Sequence, residues 1–150
     1  MNETIIHETL QKFGYPDGCI KDYENWAVVL RPKQITLGSL VMISKQDVAC
    51  VSALSDQSFE EMKHVIKDIE HGLSTLTNYD KINYLTLMMV DPHVHAHVLP
   101  RYDSPRKFEG HDFPDNSWPG PPDIKESTNC PDHIFQKLVS TLKECWEYQK

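Results

Sequence analysis

Residues 91 to 102 read Asp-Pro-His-Val-His-Ala-His-Val-Leu-Pro-Arg-Tyr, and the alternation inside that run constrains the fold more than any other feature of the chain. His93, His95 and His97 recur at every second position, with Val94, Ala96 and Val98 following them in turn. Successive side chains of an extended strand point to opposite faces, so the spacing predicts a strand with three imidazoles on one face and three apolar side chains on the other. The apolar face belongs to a core. The imidazole face is left for chemistry.

The rest of the chain supplies partners for such a strand. The runs Trp26-Ala-Val-Val-Leu30 and Ser39-Leu-Val-Met-Ile43 are bounded by Arg31-Pro32 and Gly38, and they suit buried strands; the short linker predicts that they are antiparallel neighbours. Ile82 to Val90 predicts a further strand, joined to the histidine strand by a tight hairpin through Asp91-Pro92, with Met88 and Met89 filling the core on alternating faces. Ile6, Leu10 and Phe13 predict a short amphipathic helix that ends at Gly14 and Pro16. From Ser55, a candidate N-cap, Phe59, Met62, Val65, Ile66, Ile69, Leu73 and Leu76 recur at helical spacing until Asn78-Tyr-Asp80 breaks the pattern. Six prolines between Pro100 and Pro122 predict a long loop at 100–129 that admits neither helix nor central strand. Its Phe108, Phe113 and Trp118 predict that it docks and borders the site. Pro131 opens a final helix at 131–148 with Phe135, Leu138, Leu142 and Cys145 on one face. The expectation is an α+β fold, a small antiparallel sheet with flanking helices, in one domain over 1–150, since 150 residues at 39% hydrophobic supply one core and not two.

Composition removes several classes of function. The net charge is -7 and no Lys/Arg run occurs, which argues against a nucleic-acid partner. No apolar stretch approaches a membrane span and no signal segment is visible, so the expected location is the cytoplasm. Cys19, Cys50, Cys130 and Cys145 are far apart and form no Cys-x-x-Cys unit, so they read as reduced packing residues. Lys33 and Lys45 read as surface charges, and His111 as an exposed loop histidine.

Three chemistries compete for the histidines. A merely solvated strand face explains the alternation but not the choice of histidine. A metal site is disfavoured because the outer pair lie about 13 Å apart along an extended strand, so an ion would need two of the three plus His111 or Asp91. The expectation is no metal and no cofactor. In nucleophilic catalysis a neutral imidazole attacks phosphorus, and histidine, with its ordinary pKa near 6.5, is largely neutral at pH 7. An imidazole that donates one N–H to a backbone carbonyl presents a bare lone pair at its other nitrogen. His95, between two others, is the natural nucleophile.

The stretch from His93 to Arg101 resembles the His-φ-His-φ-His-φ-φ signature (φ apolar) of the histidine triad proteins, nucleotide hydrolases and transferases. Leu30-Arg-Pro-Lys-Gln-Ile-Thr-Leu-Gly38-Ser-Leu-Val-Met-Ile43 is similar to that family's earlier strand, turn glycine and next strand, and the resemblance covers roughly residues 25 to 102. It implies an α+β fold, a homodimer, and a purine nucleotide whose α-phosphate faces the histidine strand. It also implies that His95 forms a covalent nucleotidyl-histidine, that His97 contacts the bridging oxygen or phosphate, and that His93 helps hold the site. Arg31 stands where many family hydrolases have an asparagine that holds the ribose, and is expected to grip a phosphate or a sugar hydroxyl. Arg101 is a second candidate substrate-binding residue. The polar loop that dinucleotide hydrolases insert before the first histidine is expected to be reduced here to Asp91-Pro92, which points to a mononucleotide substrate. The alternatives are a purine-nucleotide-binding protein with little turnover and a metal-dependent hydrolase.

Overall fold

The two apolar runs on either side of Arg31 become the middle of a sheet that is covered on both faces. In the computed structural model, which describes residues 6–147, strands β1 (Cys19–Asp22), β2 (Trp26–Leu30), β3 (Leu40–Ser44), β4 (Lys81–Leu85) and β5 (His95–Arg101) form one antiparallel sheet in the order β1-β2-β3-β5-β4. Helix α1 (Glu8–Lys12) precedes it, α2 (Asp56–Thr77) joins β3 to β4, and α3 (Asp132–Glu147) closes the chain. The arrangement is α+β. Continuous apolar strands are what a sheet buried on both faces requires, and every residue of β2, β3 and β5 is buried.

Alternation divides these side chains between two cores. Trp26, Val28, Leu30, Leu40, Met42, Ala96 and Val98 pack with Val65, Ile69 and Leu73 of α2 and Leu138, Leu142 and Trp146 of α3. Ala27, Val29, Val41 and Ile43 pack instead with Leu10 and Phe13 beside α1. Register carries this division across to β5, where Ile43 lies opposite His95 and Val41 opposite His97. The two histidines therefore share the face that α1 covers.

Helix α2 begins where Ser55 accepts a hydrogen bond from the Ser58 amide and ends where Asn78 takes a left-handed conformation, φ 47°, with its N–H on the Ser74 carbonyl. Strand β1 was not legible, because Cys-Ile-Lys-Asp is short and only Ile20 is buried. The expected strand from Ile82 to Val90 stops at Leu85. Residues 86–94 form a loop in place of the tight Asp91-Pro92 turn, with Met88 at φ 43° breaking the ladder. Met89 and Val90 are 82% and 85% exposed, so neither is core filler. These residues are apolar but have no interior to face.

The proline-rich segment is also more structured than expected. Pro100 and Arg101 belong to β5 itself; β3 pairs with β5 only as far as Val98, so the missing N–H falls beyond that ladder. Two short strands, β6 (Arg106–Phe108) and β7 (His111–Phe113), then make a hairpin turned by Glu109 and Gly110, both at positive φ. Phe113 is fully buried and Tyr102 donates its hydroxyl hydrogen to the Leu37 carbonyl at 2.6 Å, which ties the segment down. Helix α3 starts at Asp132, with the Pro131 carbonyl accepting from the Ile134 amide; residue 148 lies outside the described residues.

Gly72 makes the contact between the two long helices possible. A Cβ there would sit 2.4 Å from the ring of Trp146. Alanine is favoured over glycine in a helix by about 1 kcal/mol, but overpacking a tight contact costs about 1–3 kcal/mol. Gly72→Ala is therefore expected to lower the urea midpoint of unfolding with an unchanged slope; a midpoint at or above wild type would show that Trp146 yields without cost.

Candidate functional site

The three imidazoles lie on one side of the sheet but do three different jobs. His95 places Nδ1 2.6 Å from the carbonyl oxygen of His93, so Nδ1 carries the proton and donates it. Nε2 is then the bare nitrogen, and no hydrogen bond reaches it among the described residues. The His95 ring meets the His97 ring edge to face at 5.1 Å, and both pack against Phe13, at 5.6 and 5.5 Å. Only 2% of His95 is exposed, with Phe13 lying against it.

His93 precedes β5 and is not part of the strand, yet its ring still turns toward α1. Its Nδ1 is 2.8 Å from Thr9 Oγ1 and its Nε2 is 2.7 Å from Asp47 Oδ1, so both nitrogens are engaged. The ring also stacks on His7, with centroids 3.7 Å apart and planes within 3°. His7 in turn donates Nε2–H to the Ser44 carbonyl and accepts the Leu10 amide at Nδ1, which makes it the N-cap of α1. Burial, opposed by the Ser44 carbonyl and aided by the neighbouring His93, lowers the His7 pKa. None of His7, Thr9 and Asp47 was marked by sequence, because a histidine N-cap has no composition signal and their partners lie tens of residues away.

His97 borders a cavity of about 330 Å³ lined also by Lys12, Phe13, Arg31, Pro32, Lys33, Val90, Asp91 and Ile124. Its Nδ1 is buried without a hydrogen-bond partner. Desolvation, reinforced by the nearby His95 and Arg31, pushes its pKa down to about 4, so it is neutral at pH 7. Arg31 lines the same cavity. Its NH1 donates to the Lys33 carbonyl at 2.6 Å while its buried Nε has no partner, and burial lowers its pKa against the pull of Asp91. Asp91 pairs with Lys12 at 2.6 Å. Lys33, read from sequence as a plain surface charge, is exposed but lines the mouth.

Arg101, the second candidate, is turned into the protein and is not among the residues lining the histidine cavity. It is 3% exposed and spends four hydrogen bonds inside the protein, two on the Asp115 carboxylate, one on Asn83 Oδ1 and one on the Gly120 carbonyl. The guanidinium is an anchor for the proline-rich segment. Burial alone would raise the Asp115 pKa, but Arg101 and the Tyr102 amide outweigh it and hold it low. Ile124 brings that segment to the histidine cavity, whereas Trp118 lines a separate pocket with Tyr102 and Asp115. His111 bonds the Asn129 carbonyl at 2.7 Å. The four cysteines are unbridged, and Cys50 is exposed where a packing residue was expected. Among the described residues no three His, Cys, Asp or Glu side chains are grouped to hold a metal, and no helix is long and apolar enough to cross a membrane.

No family model and no curated protein matches the sequence. Solved structures do match. A histidine triad protein from Marinobacter aquaeolei superposes with a TM-score of 0.75 at 17% identity, covering 99% of this chain and 100% of that one. Histidine triad proteins from Sinorhizobium meliloti and Bradyrhizobium japonicum both give TM-scores of 0.73, at 20% and 18% identity, covering 94% and 95% of this chain and 96% and 98% of theirs. The chain has the histidine triad fold. Within it, His95 and His97 lie in the first half of an inner strand of the sheet and His93 lies two residues before that strand begins.

The low pKa of His97 ties stability to pH with a definite sign. Between about 4 and 6.5 the unfolded imidazole binds a proton that the folded one refuses, so stability is full above pH 6.5 and falls as pH drops toward 4. His97→Gln is expected to flatten that part of the profile of unfolding free energy against pH. An unchanged slope in the variant would mean that His97 titrates normally.

Proposed function

We propose that the chain is a histidine triad nucleotide hydrolase or nucleotidyl transferase in which His95 Nε2 attacks the α-phosphorus of a purine nucleotide. The observation that carries this reading is the 2.6 Å bond from His95 Nδ1 to the His93 carbonyl, which leaves the other nitrogen deprotonated and free to attack. The P–N bond forms as the bond from phosphorus to the leaving oxygen breaks, and water or another acceptor then displaces the histidine. In this reading His97, neutral and against the His95 ring, contacts the leaving oxygen or phosphate. His93 is a positioning residue: Thr9, Asp47 and the His7 ring hold it, and its carbonyl holds His95.

A second reading, a nucleotide-binding protein with little turnover, draws on the burial of His95 against Phe13. The two separate on a covalent adduct. Incubation with an AMP ester, quenched at high pH because phosphoramidates are acid-labile, is expected to give a nucleotidyl mass shift on the peptide bearing His95. His95→Asn is expected to lose the adduct and to lower kcat by several orders of magnitude while still binding nucleotide. Turnover within a few-fold of wild type would sink the assignment, and binding without any adduct would favour the second reading.

The homodimer is part of the same proposal. Strand β4 is an edge strand, and Leu87, Met89 and Val90 beyond it are exposed together with Val51 and Phe59. An open edge beside exposed apolar side chains suits pairing with a second copy. Light scattering is expected to give twice the chain mass, shifting toward monomer in Met89→Asp; a wild-type monomer at tens of micromolar would count against it.

A further inference from the structure

His93 stands just outside the bonded sheet. The ladder between β3 and β5 begins at His95, and the backbone bonds before it are those of Val94, to the Ser44 amide and the Val48 carbonyl. Side chains take over at His93: Thr9 at Nδ1, Asp47 at Nε2 and His7 against the face of the ring. The Asp47 side chain is 82% exposed, so water competes for its bond, and Thr9 rides on α1, the helix that His7 caps. His7 itself is buried. The support of His93 therefore turns on His7 more than on any other side chain.

The hydrogen bonds of His7 fix its charge. The Leu10 amide can only donate, so the Nδ1 that accepts it at 3.3 Å is bare, and Nε2, 2.8 Å from the Ser44 carbonyl, carries the proton. A second proton has no place. At Nδ1 it would turn the acceptor of the Leu10 amide into a donor facing it, and it would set a cation against the His93 ring, whose centroid is 3.7 Å away. Resting on the nucleotide reading above, we propose that His7 is a positioning residue whose neutral ring keeps His93, and through it His95, aligned, and that one proton on His7 switches the site off. The titratable groups that act on His7 are His93 from before β5 and Asp47 from after β3, while β3 itself presents the Ser44 carbonyl and α1 the Leu10 amide. Glu8, next to it on α1, is exposed. Burial and the His93 charge oppose the proton, the Ser44 carbonyl and Asp47 favour it, and burial prevails, so the switch lies below the ordinary value of 6.5. The site is on above that point and off below it. A proton on His95 itself is a separate event, because it blocks attack at Nε2 but leaves the Nδ1–H on the His93 carbonyl.

Proton NMR on the full chain without ligand tests this, with the His95 Nδ1–H resonance as the readout and the ring signals of His7 reporting its titration. In the wild type the His95 resonance is expected to vanish over the same pH interval in which His7 takes up its proton, while the backbone amide signals remain those of the folded protein. His7→Phe keeps a ring against His93 and cannot titrate, so it is expected to hold the resonance through that interval. His7→Asn keeps an oxygen for the Leu10 amide but removes the ring, so it is expected to weaken the resonance already at pH 7. At that pH the rate of adduct formation on His95 with an AMP ester is expected to fall about tenfold or more in His7→Asn, the effect of a misplaced reacting group, and to be rescued by at least about threefold in His7→Phe relative to His7→Asn. A His95 resonance that persists through the titration of His7, or two variants that behave alike, overturns the proposal. If either variant does not fold, the wild-type titration decides. A resonance lost with the titration of His7 in a wild type that forms no adduct leaves the switch standing and overturns the nucleotide reading instead.

Discussion

Everything the site can do depends on one hydrogen bond between residues two apart, from His95 Nδ1 to the carbonyl of His93. It sets the tautomer of an imidazole whose exposure is too small for water to do so. The bond holds only if the backbone at 93 and 95 is rigid, and two independent supports supply that. On one side β5 is clamped between β3 and β4, with Ile43 opposite His95 and Leu85 opposite His97. On the other, the His93 side chain is fixed by Thr9, Asp47 and the stacked His7. The sheet places His95, and α1 holds His93, whose carbonyl orients it.

Helix α1 has five residues, too few to be stable alone. It is kept by what it touches: His7 caps it, Leu10 and Phe13 bury themselves on the sheet, and Lys12 reaches Asp91 in the loop before β5. The same helix therefore supports His93, covers His95 and contributes a cation to the neighbouring cavity. Stability and access are coupled through it, since a displacement of the whole helix that uncovers His95 also disturbs the stack that holds His93.

The elements that could be read from sequence are those whose periodicity has an interior to match. The strand runs around Arg31, the stripe from Val65 to Leu73 and the alternation from Val94 to Val98 all end in cores. Misreadings fell where apolar character lacks that partner: Thr86-Leu-Met-Met-Val90 has the composition of a strand and lies in an exposed loop. Prolines misled in the opposite direction, because Pro100 sits just past the end of β3, where a missing N–H costs nothing to that ladder. At the site, the spacing of the histidines was legible because it is local, and Arg31 because a resemblance located it. Arg101 could not be judged without knowing that Asp115 and Asn83 surround it. His7, Thr9 and Asp47 reach His93 from 86, 84 and 46 residues away along the chain, and no local pattern announces such meetings.

The contrast between an acidic exterior and a cation-lined cavity has a kinetic meaning. At distances beyond the screening length, about 10 Å in 0.1 M salt, an approaching anion senses mainly the net charge of -7 and is repelled. Within a few ångströms it senses Arg31 and Lys33. Dilute buffer would then slow the encounter while lengthening residence, and added salt would speed arrival while shortening the stay. A surface of this kind would select an anion by contact and not by attraction from afar.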